Sequence, residues 1–169
     1  PVYSVDMLER LTTQAKSLAE RIGAPLVLEN VPNLLDPGPG ELTEARFLKQ
    51  LLAETGCGLA LNLAYVWLTA HYHGISPMDL LETFPLEPVV ELRLASMSPD
   101  PDLEGPWIGA GPVGTELLEM AGWAIERAPR LRAITYEASS RAMTAPALFE
   151  AIDLIRNYLR IPSPRARKS

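Results

Sequence analysis

Two carboxylates stand in matching positions in this chain. Glu29 follows the apolar run Leu26-Val27-Leu28, and Glu137 follows Ile134-Thr135-Tyr136. A carboxylate at the end of an apolar run is costly to bury without a partner. Each is therefore expected either to pair with an arginine or cap a helix, or to act as a metal or substrate ligand. If the two converge, they could bind a hard cation or share a proton. His71 and His73 are the only histidines, and their H-x-H spacing would point both rings to one side of a strand. They precede Gly74 and Pro77, however, in a segment that reads as a loop with no Cys or Asp beside it, which argues against a metal role. The run 105–114 contains G-x-G but lacks both the Lys-Ser/Thr ending of a P-loop and the third glycine of a dinucleotide fingerprint, so a flexible loop is expected. Cys57, between two glycines and with no nearby His, reads as a buried or bystander thiol rather than a nucleophile. Trp67, Trp107 and Trp123 are scattered and read as packing residues.

The elements that must position these groups alternate along the chain. Apolar residues at Leu8, Leu11, Ala15, Leu18, Ala19 and Ile22 have the spacing of a one-faced helix, and Gly23 stops it. Pro25 to Leu28 reads as a buried strand ending in Glu29-Asn30, and the Pro/Gly-rich stretch 32–40 as a loop. The pattern then repeats: helix Leu42 to Thr55, strand Gly58 to Leu63, helix Pro77 to Phe84, strand Val89 to Ala95, helix Thr115 to Ala128, strand Ala133 to Glu137, helix Ala145 to Leu159. Apolar strands separated by helices imply a parallel sheet covered by helices, an α/β fold. Glu29, Asn30, Asn62 and Glu137 fall at strand C-termini, the edge where such sheets build their sites. Four or five strands are too few to close an eight-stranded barrel.

Composition narrows the class further. With 169 residues, 47% of them hydrophobic, the chain can bury one core but not two full domains. A single domain over 1–160 is expected, followed by a flexible basic tail over 161–169 that carries Arg165, Arg167 and Lys168. A net charge of -6 argues against a nucleic-acid partner, and no apolar stretch is long enough for a membrane span. One Cys excludes a disulfide framework within the chain and suits a reducing, cytoplasmic setting. Pro1 opens the chain where a methionine would be usual, and no secretory pattern follows. A fragment, a processed product and the ordered part of something longer all stay open.

Laid out in order, several blocks resemble one family. They are Leu28-Glu29-Asn30-Val31, Thr55-Gly56-Cys57-Gly58-Leu59 and Tyr72-His73-Gly74-Ile75-Ser76-Pro77. The chain is similar, from about Met7 to Asn157, to the xylose-isomerase-like TIM-barrel family of multinuclear iron proteins that includes the methanobactin-biosynthesis oxidase. The resemblance implies a partial (β/α) barrel, about the last five β/α units, with the family's first strands lacking a counterpart. It also implies iron or another divalent cation if the protein is active, a cysteine-containing ribosomal peptide as ligand, and a small partner protein.

The departures concern the chemistry. Where the family has Leu-Asp-Val-Asn-Asn, this chain has Leu61-Asn62-Leu63-Ala64-Tyr65; where it has His-Leu-Ala-Gly-His, this chain has Arg93-Leu94-Ala95-Ser96-Met97. The family's later Asp-x-His falls in the ligand-free segment 107–111, and its final Glu-Arg-Asp keeps only its first residue, as Glu137-Ala138-Ser139. Glu29 and Glu137 thus remain as the only metal candidates. Glu29, Asn30, Asn62, Arg93 and Glu137 are the substrate-facing candidates. Arg93 is expected to neutralise Glu29 or Glu137, with a few kcal/mol lost on its removal if the pair is buried.

The reading that follows is a degenerate relative without catalysis or resident cofactor, a binding or assembly module. The alternative is an active metal-dependent oxidase completed by a partner or a missing N-terminal segment. A xylose-isomerase-like sugar enzyme is the remaining one. Bare sheet edges are rarely left exposed, so a partner protein, self-association or further N-terminal chain is expected to complete the barrel.

Overall fold

The computed structural model describes residues 3–34, 41–100, 105–109, 111–138 and 143–161, with backbone alone at 98–100 and 105–107. Its elements run α1 (Val5–Ile22), β1 (Val27–Glu29), α2 (Glu44–Thr55), β2 (Gly58–Asn62), α3 (Leu63–His73), α4 (Pro77–Glu82), β3 (Val89–Asp100), β4 (Gly105–Gly109), α5 (Thr115–Arg127), β5 (Ala133–Glu137) and α6 (Ala145–Tyr158). The sequence marks most helix ends chemically. Ser4, Thr43, Asn62, Ser76 and Thr144 each accept a backbone N–H from the first turn, which satisfies donors that a helix start leaves open. Gly23, Gly56 and Gly74 end α1, α2 and α3 at φ between 64° and 69°, a conformation costly for a residue with a Cβ.

Four strands lie parallel in the order β1-β2-β3-β5, alternating with helices along the chain. This is the expected α/β class, a parallel sheet consistent with part of a (β/α) barrel. One face buries Leu59, Leu61, Leu92 and Leu94 completely, against Leu117, Met120, Ala121 and Ala124 of α5 among others. The other face carries Glu29, Asn62, Arg93, Thr135 and Glu137, which stand side by side because parallel register neighbours share a face. The three-residue β1–β2 ladder is continued past Glu29 by a side chain. Asn30 Oδ1 accepts from the Asn62 amide N at 2.7 Å, and Asn30 Nδ2 donates to the Asn62 carbonyl at 3.1 Å.

Three sequence expectations change here. The segment holding His71 and His73 is not a loop: α3 starts directly after β2, and nothing in Leu63–His73 breaks a helix before Gly74. Residues 105–109 are not a flexible loop but strand β4, paired antiparallel with the extension of β3 from Ser96 to Asp100. The strands are also not apolar and buried on both faces. In β1 Val27 is 50% exposed, and β5 has no fully buried residue, because among the described residues each pairs with a strand on one side only. The expected tail 161–169 falls, beyond Ile161, outside the described residues.

The two edges share a further property. Of the eleven exposed large apolar side chains among the described residues, nine lie there: Val5, Met7, Leu18 and Ile22 of α1, Val27 and Val31 at β1, and Phe149, Leu154 and Tyr158 of α6. A cavity of about 450 Å³ opens between α1, β1 and α2, and one of about 480 Å³ between β5 and α6. Among the described residues, no helix is long and apolar enough to cross a membrane.

Candidate functional site

Strand alternation sends Glu29, Asn62, Arg93 and Glu137 to one end of the polar face, and their side chains meet. Arg93 Nη1 donates to Glu29 Oε2 at 2.9 Å, and Arg93 Nε to Glu91 Oε1 at 3.0 Å. Thr135 Oγ1 donates to the same Glu91 oxygen at 2.8 Å. Asn62 Nδ2 donates to Glu29 Oε1 at 3.0 Å and reaches Glu137 Oε2 at 3.4 Å. Asn62 is fully buried, and its Oδ1 accepts the Tyr65 amide N at 3.3 Å as the N-cap of α3. The positive end of that helix therefore faces the carboxylates.

Four of the five sequence-named residues thus form one hydrogen-bonded group. Asn30 lies beside them but is 98% buried by its 2% exposure, and both ends of its amide are spent on the Asn62 backbone. It fixes strand spacing. Glu91, Thr135 and Tyr65 join the group without having been singled out from sequence. Period two was the available signal for the first two, since Glu91 precedes Arg93, and Thr135 precedes Glu137, by two residues on the same strand face.

Electrostatics follow from this crowding. Partial burial works against the charge on Arg93, but the bond to Glu91 and the charges of Glu29, Glu91 and Glu137 outweigh it and raise its pKa further. Burial, with Glu137 and Glu29 adding to it, holds the Tyr65 hydroxyl above the usual phenol range, while Arg93 pulls the other way. The Arg93–Glu29 pair is not buried: the side chains are 36% and 31% exposed. Water screens it, so the expected loss of a few kcal/mol on removing Arg93 falls to about 1 kcal/mol or less.

The group does not fit an iron centre. Iron needs several lone-pair donors in fixed geometry, whereas this group seats the Arg93 guanidinium directly against Glu29 and Glu91 and offers no imidazole. Among the described residues, no three His, Cys, Asp or Glu side chains are arranged to hold a metal. The histidines lie elsewhere, on the last turn of α3, where a two-residue spacing sends them to different sides. The His71 ring stacks on Trp67 at 5.1 Å, and His73 Nε2 lies 2.8 Å from the Asn33 carbonyl. Trp67 also donates to Glu116 at 2.6 Å, Trp123 lies under the Arg127 guanidinium, and Cys57 is 4% exposed within the main core. The Trp107 side chain is outside the described residues.

Comparison with known proteins identifies relatives of this chain. A UPF0276 protein of Rhizobium meliloti is 36% identical over 103 residues, covering 61% of this chain and 33% of that protein. One of Paraburkholderia phytofirmans is 35% identical over 60% of this chain and 33% of its own length. One of Bordetella pertussis is 33% identical over 62% and 36% respectively. The match thus spans about a third of the length of these relatives. The model of the RiPP precursor modification enzyme family MbnB/TglH/ChrH matches residues 1–159. The chain belongs to the MbnB/TglH/ChrH family.

Proposed function

We propose that this chain is a non-catalytic binding or assembly module within the modification of ribosomal peptides. The observation that carries this reading is the Arg93 guanidinium set between Glu29 and Glu91, with Asn62 spanning Glu29 and Glu137. The carboxylates that would serve a metal are held by protein donors, while the side chains of Arg93 and Glu29 stay about a third exposed to water. A peptide lying across that face would meet acceptors at Glu91 and Glu137 and a partly exposed cation at Arg93. The test is iron content together with turnover. Purified without chelators, the protein should hold no stoichiometric iron, and a cysteine-containing peptide incubated with it, iron(II) and oxygen should keep its mass. Stoichiometric iron or an oxidised peptide would overturn the reading.

A second reading, an active metal-dependent oxidase, draws support from one contact: Glu29 and Glu137 still converge on a single amide. In it, further ligands come from additional polypeptide, and the same peptide assay decides between the two. The lone cysteine supports a cytoplasmic setting.

In either reading, the edges at β1 and β5 are covered in the working protein by further polypeptide: a partner, a second copy or additional N-terminal chain. Nine exposed apolar side chains gathered on those edges support it. Light scattering on the 169-residue chain should therefore give a mass above the 18.5 kDa of one copy at micromolar concentration. A monomer that binds no hydrophobic dye would count against covered edges.

A further inference from the structure

The polar face gathers three carboxylates, Glu29, Glu91 and Glu137, around one guanidinium. Among the described residues, these carboxylates accept from Arg93 Nη1 and Nε, Asn62 Nδ2 and Thr135 Oγ1. A divalent cation bridging Glu29 and Glu91 would need the space that the Arg93 guanidinium fills. We propose that Arg93 is a built-in counter-cation, a tethered positive charge that occupies the point between Glu29 and Glu91 and keeps the site closed to divalent metals until it is removed. This deepens the non-catalytic reading and rests on it only for what the closed site implies.

The physical argument compares two occupants. Charge-assisted N–H···O bonds at 2.9 and 3.0 Å hold the guanidinium on carboxylates of two different strands. A metal ion entering beside it would meet a like charge a few ångströms away and would have to break both bonds. With Arg93 present, no three carboxylates among the described residues are arranged to hold a metal. With it absent, Glu29 and Glu91 face a vacated space, with Glu137 beside them on the neighbouring strand. These side chains turn about ordinary rotamers, and an all-oxygen set suits a hard cation such as Mn²⁺ rather than a softer metal that prefers sulfur or imidazole.

Titration with Mn²⁺ alone, followed by electron paramagnetic resonance of the free ion, tests this. Wild type should bind no Mn²⁺ below millimolar concentration. Arg93→Met should bind at least tenfold more tightly, and its melting temperature should rise when Mn²⁺ is added. Arg93→Lys, which keeps the charge, should behave like wild type. Sub-millimolar binding by wild type would overturn the inference without any variant, and this arm stands even if Arg93→Met does not fold. A folded Arg93→Met with no gain, or an equal gain in Arg93→Lys, would also overturn it. That result leaves the non-catalytic reading in place. Oxidation of a peptide by wild type would sink the non-catalytic reading but would leave the Mn²⁺ comparison as it is.

Discussion

Replacing Asn62 by alanine should destabilise the protein by about 3 kcal/mol, read as a lower urea midpoint at an unchanged slope. The side chain has no exposure and does three jobs at once. Its Oδ1 caps α3 through the Tyr65 amide N, and loss of such a cap costs roughly 1 kcal/mol. Its Nδ2 is the donor shared by Glu29 and Glu137. Without it, two half-buried carboxylates lose a partner, at roughly 1 to 3 kcal/mol for each group left unsatisfied. Asn62→Asp separates these contributions. Volume and cap are kept, but a third carboxylate is set against the other two, the repulsive arrangement that a cation would otherwise relieve. This variant should be at least as destabilised at pH 7 as the alanine, and should recover as acid protonates the group. An Asp variant as stable as wild type at pH 7 would show that the amide is not what holds the carboxylates.

Glu44 should make the protein less stable as pH rises from about 4.5 to 7. It is the first residue of α2 and lines the cavity between α1 and α2. Burial pushes its carboxyl from 4.5 up to about 7, with Tyr3 pulling it partly back. The Tyr3 hydroxyl is itself buried, has no hydrogen bond of ordinary geometry, and is pushed above the usual phenol range by burial and by Glu44. Within that window the folded state keeps a proton that the unfolded chain has released. The contribution of this group is therefore complete at low pH, falls through the window, and is lost above it. At about 1.4 kcal/mol per unit the loss is at most roughly 3 kcal/mol. Glu44→Gln removes the titration but also the carboxylate's favourable place at a helix N-terminus, worth roughly 0.3 to 1 kcal/mol. The variant should then be more stable than wild type at pH 8 by about 2 kcal/mol and less pH-dependent between 5 and 8. Urea midpoints of the two proteins that run parallel across this range would refute a buried, proton-holding Glu44.

The sequence was most readable where polar punctuation surrounds an amphipathic stretch. The spans of α1, α2, α5 and α6 read from sequence lie within three residues of the observed ends, because each carries a one-sided apolar pattern, bracketed in α1 and α2 by a side-chain cap and an αL glycine. α3 escaped for the opposite reason. It follows β2 with no turn between them, and six of its eleven residues are buried, so its apolar residues show no clear period. The hairpin of β3 and β4 was hidden by the glycines and prolines of 105–114, which suggested a loop until a long-range partner was present. At the site, the Arg93–Glu29 contact joins residues 64 apart, and only the order of strands relates them. Glu91 lies inside β3 rather than at a strand end, and only the backward reach of Arg93 along its own strand brings it into the group.

Cys57, set between the αL glycine that ends α2 and the first residue of β2, has 4% exposure and belongs to the main core. As the only sulfhydryl in the chain, it makes the protein its own clock. A disulfide reagent in solution can react with it only while the junction between α2 and the sheet is open, so the rate of colour release counts openings of the native state directly. Followed across urea concentrations, that rate separates local fraying from global unfolding at the strand beside the polar site, with no label attached beforehand.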